Sequence, residues 1–168
     1  MENPVAWYAV RTLSRTEKKV VERLKEKGIE AYVPLKVEKR KWSDRIKTIE
    51  TPLITCYVFV HMALDRRIDV LRTQGVVGYV KEEHKDVQIP DQQMQDFIKA
   101  VSHAPEKVDF TPQRLKEGTP VIVKCGPLAG MKGEMMEYAG SKRIIIRLSC
   151  IGCATVEIEE NSVEILYL

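Results

Sequence analysis

Cys150-Ile151-Gly152-Cys153 has the one spacing in this chain that suggests reactive chemistry. A zinc site needs a second ligand pair, and neither Cys56, Cys125 nor the isolated histidines His61, His84 and His103 supply one. A redox pair sits at a helix N-terminus after a strand, whereas these cysteines fall between two β-forming runs, so a structural turn is expected. No P-loop, dinucleotide fingerprint, nucleophile elbow or HExxH occurs, and the carboxylates are spread through surface-like helices. The expectation is no catalytic residue, no metal, no cofactor and no enzymatic activity.

The other chemistry on offer is cationic. Between positions 36 and 47, Lys36, Lys39, Arg40, Lys41, Arg45 and Lys47 face only Glu38 and Asp44, compatible with phosphate contacts and equally with a solvated hairpin tip. Residues 1–100 carry 19 Lys/Arg against 15 Asp/Glu, while 101–168 carry 8 against 9, so a polyanion should prefer the first part. With 44% apolar and 30% charged residues, the chain has material for a core. It has no run approaching the roughly 18 apolar residues of a membrane span. Met1-Glu2-Asn3-Pro4 lacks a basic leader and an apolar h-region, so a cytoplasmic location with reduced cysteines is expected, and no membrane partner.

The elements that must position these groups are organised around Leu53–Met62, the densest β-branched and aromatic run of the first hundred residues, entered by Pro52. It reads as a central strand, with Tyr57, Phe59 and His61 on one face and Val58, Val60 and Met62 on the other. Before it, Trp7-Tyr8-Ala9-Val10 reads as a strand and Ser14-Arg15-Thr16-Glu17 as a capping box. The helix so opened carries Val20, Val21 and Leu24 and ends at Gly28. Ile29 to Val37 reads as a strand despite Pro34. After the keystone run come a short helix from Asp65 to Gly75, a strand at Val76–Val80 and a helix from Pro90 and Asp91 bearing Met94, Phe97, Ile98 and Val101. This is an α+β, split βαβ plan for residues 1–101. Residues 102–117 read as a linker. Residues 118–168, with five short strands and glycine-bearing turns, read as a small five-stranded SH3-like β-barrel.

The barrel opens with Val121-Ile122-Val123-Lys124 followed by Gly126-Pro127-Leu128-Ala129-Gly130-Met131-Lys132-Gly133. Gly126, Gly130 and Gly133 crowd a turn where positive φ and close backbone approach exclude a side chain. This stretch resembles the KOW motif. With Trp7-Tyr8-Ala9-Val10 before a capped helix and Tyr57-Val58-Phe59-Val60 ahead of Gly75-Val76-Val77-Gly78-Tyr79-Val80, the whole resembles a NusG-type transcription elongation factor from about residue 5 to 167.

The resemblance implies an N-terminal domain that binds the clamp helices of RNA polymerase, holds the clamp closed, suppresses pausing and acts as an antiterminator. The matching positions are Trp7, Tyr8, Leu53, Ile54 and Tyr57, with Phe59 in support. Where family members commonly have Phe-Pro-Gly-Tyr, this chain has Ile54-Thr55-Cys56-Tyr57. That departure resembles the specialised paralogues RfaH and UpxY, which act on selected long operons such as those for surface polysaccharides. In them, selectivity comes from the non-template DNA strand. The corresponding region here offers Arg66, Arg67, Arg72 and Thr73, with Arg11 and Arg15 as weaker candidates. The KOW domain implies a further partner, a ribosomal protein or a termination factor. The alternative is a ribosome-associated or general RNA-binding KOW protein, disfavoured because such proteins are usually far more basic than +3.

Overall fold

The computed structural model describes residues 3–167; Met1 and Glu2, the start of the N-terminal stretch read for a leader, and Leu168 lie outside the described residues. In chain order the elements are β1 (Ala6–Thr12), α1 (Glu17–Glu26), β2 (Glu30–Tyr32), β3 (Leu35–Lys41), β4 (Ile46–Pro52), β5 (Tyr57–Met62) and α2 (Arg67–Leu71). Then follow β6 (Val76–Tyr79), β7 (Lys81–Glu82), β8 (Lys85–Asp86), β9 (Gln88–Ile89), α3 (Asp91–His103) and β10 (Val108–Thr111). The last are β11 (Thr119–Val123), β12 (Lys132–Tyr138), β13 (Ser141–Leu148), β14 (Gly152–Ile158) and β15 (Val163–Ile165). Two compact units divide the chain, one of Met1–Pro34 with Pro52–Met94 and one of Leu35–Thr51 with Gln95–Leu168. The fold is mixed: a sheet carrying helices, and a second domain of antiparallel sheet.

In the first unit the sheet runs β2-β5-β1-β6, with β9 also pairing β1, and every pairing is antiparallel. The β1/β5 register sets Tyr8 opposite Val60 and Val10 opposite Val58, so these side chains share one face. Val20, Val21 and Leu24 of α1 and Val70 of α2 join them in one buried cluster. Each such side chain contributes about 1.5–3 kcal/mol by leaving water. The α1 stripe exists because apolar residues recur at helical spacing among Lys and Glu, and the helix stops at Gly28, whose φ is 77°.

Local chemistry moves three predicted boundaries. Pro34, which cannot donate to a ladder, interrupts the strand expected over residues 29–37 and leaves β2 and β3 separate. Leu53–Cys56 is a turn and not the start of the central strand, which begins at Tyr57. Ser14 does not cap α1: Thr16 is the N-cap residue, its hydroxyl donates back to Leu13 O at 2.7 Å, and Glu17 is engaged elsewhere. The small β7–β8 hairpin was not foreseen because its turn residues, Glu83 and His84, hold positive φ without glycine or asparagine.

The second unit is built on one antiparallel sheet in the order β10-β14-β13-β12-β11-β15. Five of these strands lie where the sequence placed them; the sixth, β10, falls in the stretch read as linker. Four residues between Pro105 and Pro112 show too little alternation to read as a strand, yet Val108 is buried and β10 pairs along β14. Arg143 fixes it, donating to Lys107 O at 3.1 Å, Asp109 Oδ2 at 2.8 Å and Thr155 Oγ1 at 2.9 Å. A second arginine secures the following segment: Arg147 donates to Glu134 at 2.6 Å and to Leu115 O at 2.9 Å. The β3–β4 hairpin also belongs to this unit, its root held by the Lys36–Asp109 ion pair and by the Val37 N–H donating to Pro105 O at 3.3 Å.

The hydrogen bond from Arg147, reinforced by the Gly118 N–H, holds the Glu134 carboxyl below the usual carboxylate range. A carboxyl whose folded-state pKa is depressed contributes stability above its unfolded-state value, and that contribution is lost as pH falls through the folded-state value. Arg147→Gln should therefore lower stability at neutral pH by about 1–3 kcal/mol and flatten the acid limb of the melting-temperature profile. Thermal unfolding between neutral pH and the acid range checks both.

Candidate functional site

The six residues matched to a protein contact fall into three environments. Trp7 and Phe59 share the sheet face opposite the α1 cluster, because Trp7 pairs with His61 and Ala9 with Phe59 across the β1/β5 ladder. Both are buried, as is Ile89, which pairs with Trp7 from β9. Trp7 stacks on His61 with centroids 4.7 Å apart, and His61 Nδ1 lies 2.8 Å from Glu30 Oε2. Tyr8, the next residue along β1, points to the other face, inside the α1 cluster at 1% exposure. Alternation thus separates Trp7 from Tyr8, which reading them as one motif did not anticipate.

Leu53, Ile54 and Tyr57 lie in and just after the turn before β5. Ile54 is buried, whereas Leu53 and Tyr57 are partly exposed. Of the six, these two have side-chain surface to offer a partner; Trp7, Tyr8, Ile54 and Phe59 are buried. Sequence reasoning missed Tyr32, which sits opposite Phe59 across β2/β5 with ring centroids 6.5 Å apart. Burial pushes the Tyr32 phenol well above the usual tyrosine range, so it stays neutral. The strand read over Ile29 to Val37 contains Tyr32, but its pairing beside Phe59 depends on β5, which is distant in sequence.

The turn itself is held by an unusual contact. Cys56 has φ of 65°, a left-handed conformation that favours glycine, and its N–H donates to Glu17 Oε1 at 3.0 Å. Its carbonyl accepts the Thr12 N–H at 2.9 Å. Glu17 is 5% exposed, so a buried carboxylate at the start of α1 is matched to a backbone donor on the turn. A left-handed residue that is not glycine is thus held in place by a side-chain anchor.

The four residues matched to a nucleic-acid contact divide by commitment. Arg67 donates to both oxygens of Asp86, at 2.6 and 3.3 Å, and lies over the Tyr79 ring at 4.9 Å. Arg66 donates to Asp69 Oδ2 at 2.8 Å and to Lys27 O at 2.7 Å. Thr73 is buried, its hydroxyl donating to Asp69 O at 2.9 Å and accepting from Lys27 Nζ at 2.8 Å. Arg72 is exposed, and no partner is found for its guanidinium among the described residues. Arg11 and Arg15 are also exposed. They sit on segments joined to the Arg72 loop, since the Leu13 N–H donates to Gly75 O at 2.9 Å and Arg23 Nη1 to Gln74 O at 2.8 Å.

In the second unit Gly126 and Gly130 hold φ of 86° and 90° in the turn after β11, with open space where a Cβ would stand. Gly133 has a different reason: its Cβ would come 2.8 Å from Ile144 Cγ2 on the paired strand. Cys150 is exposed in a turn and Cys153 is buried on β14 beside Arg147, and no group of metal-ligating side chains occurs among the described residues.

The two units thus present, respectively, Leu53 and Tyr57 partly exposed at a pinned turn with exposed arginines on neighbouring segments, and an antiparallel sheet with a glycine-formed loop. The family model described as transcription termination factor nusG matches residues 5–98, more than half of the chain. The transcription termination/antitermination protein NusG of Staphylococcus aureus, in strains Mu50 and N315, is 28% identical over 175 residues, covering 94% of each sequence. A solved structure of Thermotoga maritima NusG, determined for its domain interaction, shares the fold, with a TM-score of 0.56 at 20% identity over 96% of this chain and 97% of that one. The chain belongs to the NusG family of transcription termination and antitermination factors. Members of that family act as transcription factors and not as enzymes. No helix among the described residues is long and apolar enough to cross a membrane.

Replacing Cys56 by glycine should relieve the left-handed strain and raise stability by about 0.5–1 kcal/mol. Glu17→Ala should cost about 1–3 kcal/mol by leaving a backbone donor without its partner. Urea unfolding midpoints of the two variants check both signs.

Proposed function

We propose that this protein binds RNA polymerase at the clamp helices and, from the cytoplasm, suppresses pausing as an antiterminator on selected long operons such as those for surface polysaccharides. The observation that carries the reading is the placement of Tyr57 and Leu53, partly exposed at the pinned turn that opens β5, with Phe59 buried on the same face of that strand, within the segment that matches the family. A few aromatic and aliphatic anchors can dominate an interface with helices. Cys56 in place of glycine alters the rim of that surface, which supports a specialised role over a general one.

Contact to the non-template DNA strand is the second part of the proposal. Arg72, with Arg11 and Arg15, carries it, since these guanidinium groups are exposed. Arg66, Arg67 and Thr73 have structural partners to lose, so their part is to hold the loop that presents Arg72. The KOW domain recruits a ribosomal protein or a termination factor.

Tyr57→Asp should abolish co-elution with core RNA polymerase and the effect on pausing while leaving the melting temperature within a few degrees; unchanged co-elution overturns the polymerase contact. Arg72→Ala should weaken cross-linking to the non-template strand of a paused complex about five- to tenfold at unchanged stability, the scale of one charge-assisted contact. Arg67→Ala should instead destabilise the fold by about 1–3 kcal/mol, read by thermal unfolding.

A further inference from the structure

The β3–β4 hairpin carries the highest density of cations in the chain, and neither the polymerase surface nor the Arg72 loop uses it. The Trp42 N–H donates to Arg45 O at 2.8 Å, so Trp42 and Arg45 face each other across the tip. Strand alternation then places Arg40 on the Trp42 face of β3 and Lys47 on the Arg45 face of β4, which is the same face. Lys47 Nζ lies 5.5 Å from the Trp42 ring centroid, as that arrangement requires. Lys39 and Lys41 occupy the opposite face.

Two features separate this ribbon from an ordinary solvated hairpin. Trp42 is 53% exposed, an outlay of apolar surface that no folding gain explains. The cations around it are also little neutralised: Arg40 has Glu38 at 3.7 Å, a loose pair with both side chains largely in solvent. An exposed indole ringed by arginines and lysines offers a base a stacking surface and gives the flanking phosphates their counter-charges. Bases inside a duplex have no free face for the indole, so the fit is to a single strand.

We propose that the β3–β4 hairpin is a binding site for a single-stranded polynucleotide, with one base stacked on Trp42 and adjacent phosphates paired with Arg40, Arg45 and Lys47. Phosphate charge and base faces are common to DNA and RNA, so the site is defined by strandedness. The root of the ribbon is held by the Lys36–Asp109 pair and the Val37 to Pro105 hydrogen bond, which fixes the hairpin on its own unit without engaging the tip.

The test is fluorescence anisotropy of the full chain with labelled oligo-dT and oligo-rU of about twenty nucleotides, long enough to span the ribbon, and with a DNA duplex of equal length. Binding to a single strand should exceed binding to the duplex; Trp42→Ala should weaken it about tenfold, whereas Trp42→Phe should retain most of it. Joint Arg40→Ala and Arg45→Ala replacement should reduce the slope of log affinity against log salt by about 0.7 for each cation removed. All variants should keep the wild-type melting temperature, because these side chains lie outside the core. Tighter binding to oligo-dT assigns the site to DNA and tighter binding to oligo-rU assigns it to RNA; both support the proposal. Equal or tighter binding to the duplex, or wild-type affinity in Trp42→Ala, overturns it. No polymerase is present, so the outcome is independent of the polymerase contact.

Discussion

The hydrogen bond from the Cys56 N–H to the buried carboxylate of Glu17 is the point on which the first unit turns. It joins the first turn of α1 to the turn that launches β5, while the Cys56 carbonyl accepts from Thr12 at the end of β1. The next residue of that strand end, Leu13, bonds Gly75, and a Cβ at Gly75 would stand 2.7 Å from Val20 Cγ2 of α1. Helix start, strand end, central-strand entry and the loop after α2 therefore meet at one junction. Tyr57 leaves it on one side, and Arg15 and Arg72 lie on the segments that enter it from the other. Displacing the turn would move the protein-binding and nucleic-acid-binding candidates together.

Arginine does two kinds of work in this chain, and geometry tells them apart. Arg143 and Arg147 spend their fixed fork of donors on carboxylates and main-chain carbonyls, clasping β10 and the segment before β11 to the sheet. Arg66 and Arg67 do the same around α2. A guanidinium so engaged would leave its partner unsatisfied if it turned to a phosphate, a cost of about 1–3 kcal/mol. Arg72 and the cations near the hairpin tip face a smaller cost, which is why exposure and weak pairing, and not residue type, single them out.

Much of this was legible in the sequence. Periodicity located α1 and α3, β-branched runs located the later strands, and the Gly126 to Gly133 spacing marked the loop after β11, because these signals are local and repeat over several residues. What escaped depended on partners distant in sequence. Nothing near Glu17 announces that it serves Cys56 rather than its own helix cap, and nothing near Val108 announces β14. The split of Trp7 from Tyr8 was implicit in strand alternation, but their joint appearance in one motif masked it. The commitment of Arg66 and Arg67 could not be read at all, since Lys27 O and Asp86 come from segments that only the fold brings to α2.

The proposed protein-binding surface is centred on Tyr57 and Leu53, at the pinned turn. Hydrogen–deuterium exchange of the full chain, alone and with saturating core RNA polymerase, addresses it most directly, because backbone amides at an interface exchange more slowly once covered. Slower exchange over residues 53–57 and at Tyr32 in the complex is the expected result. Unchanged exchange there, with any slowing confined to residues 118–167, would contradict it.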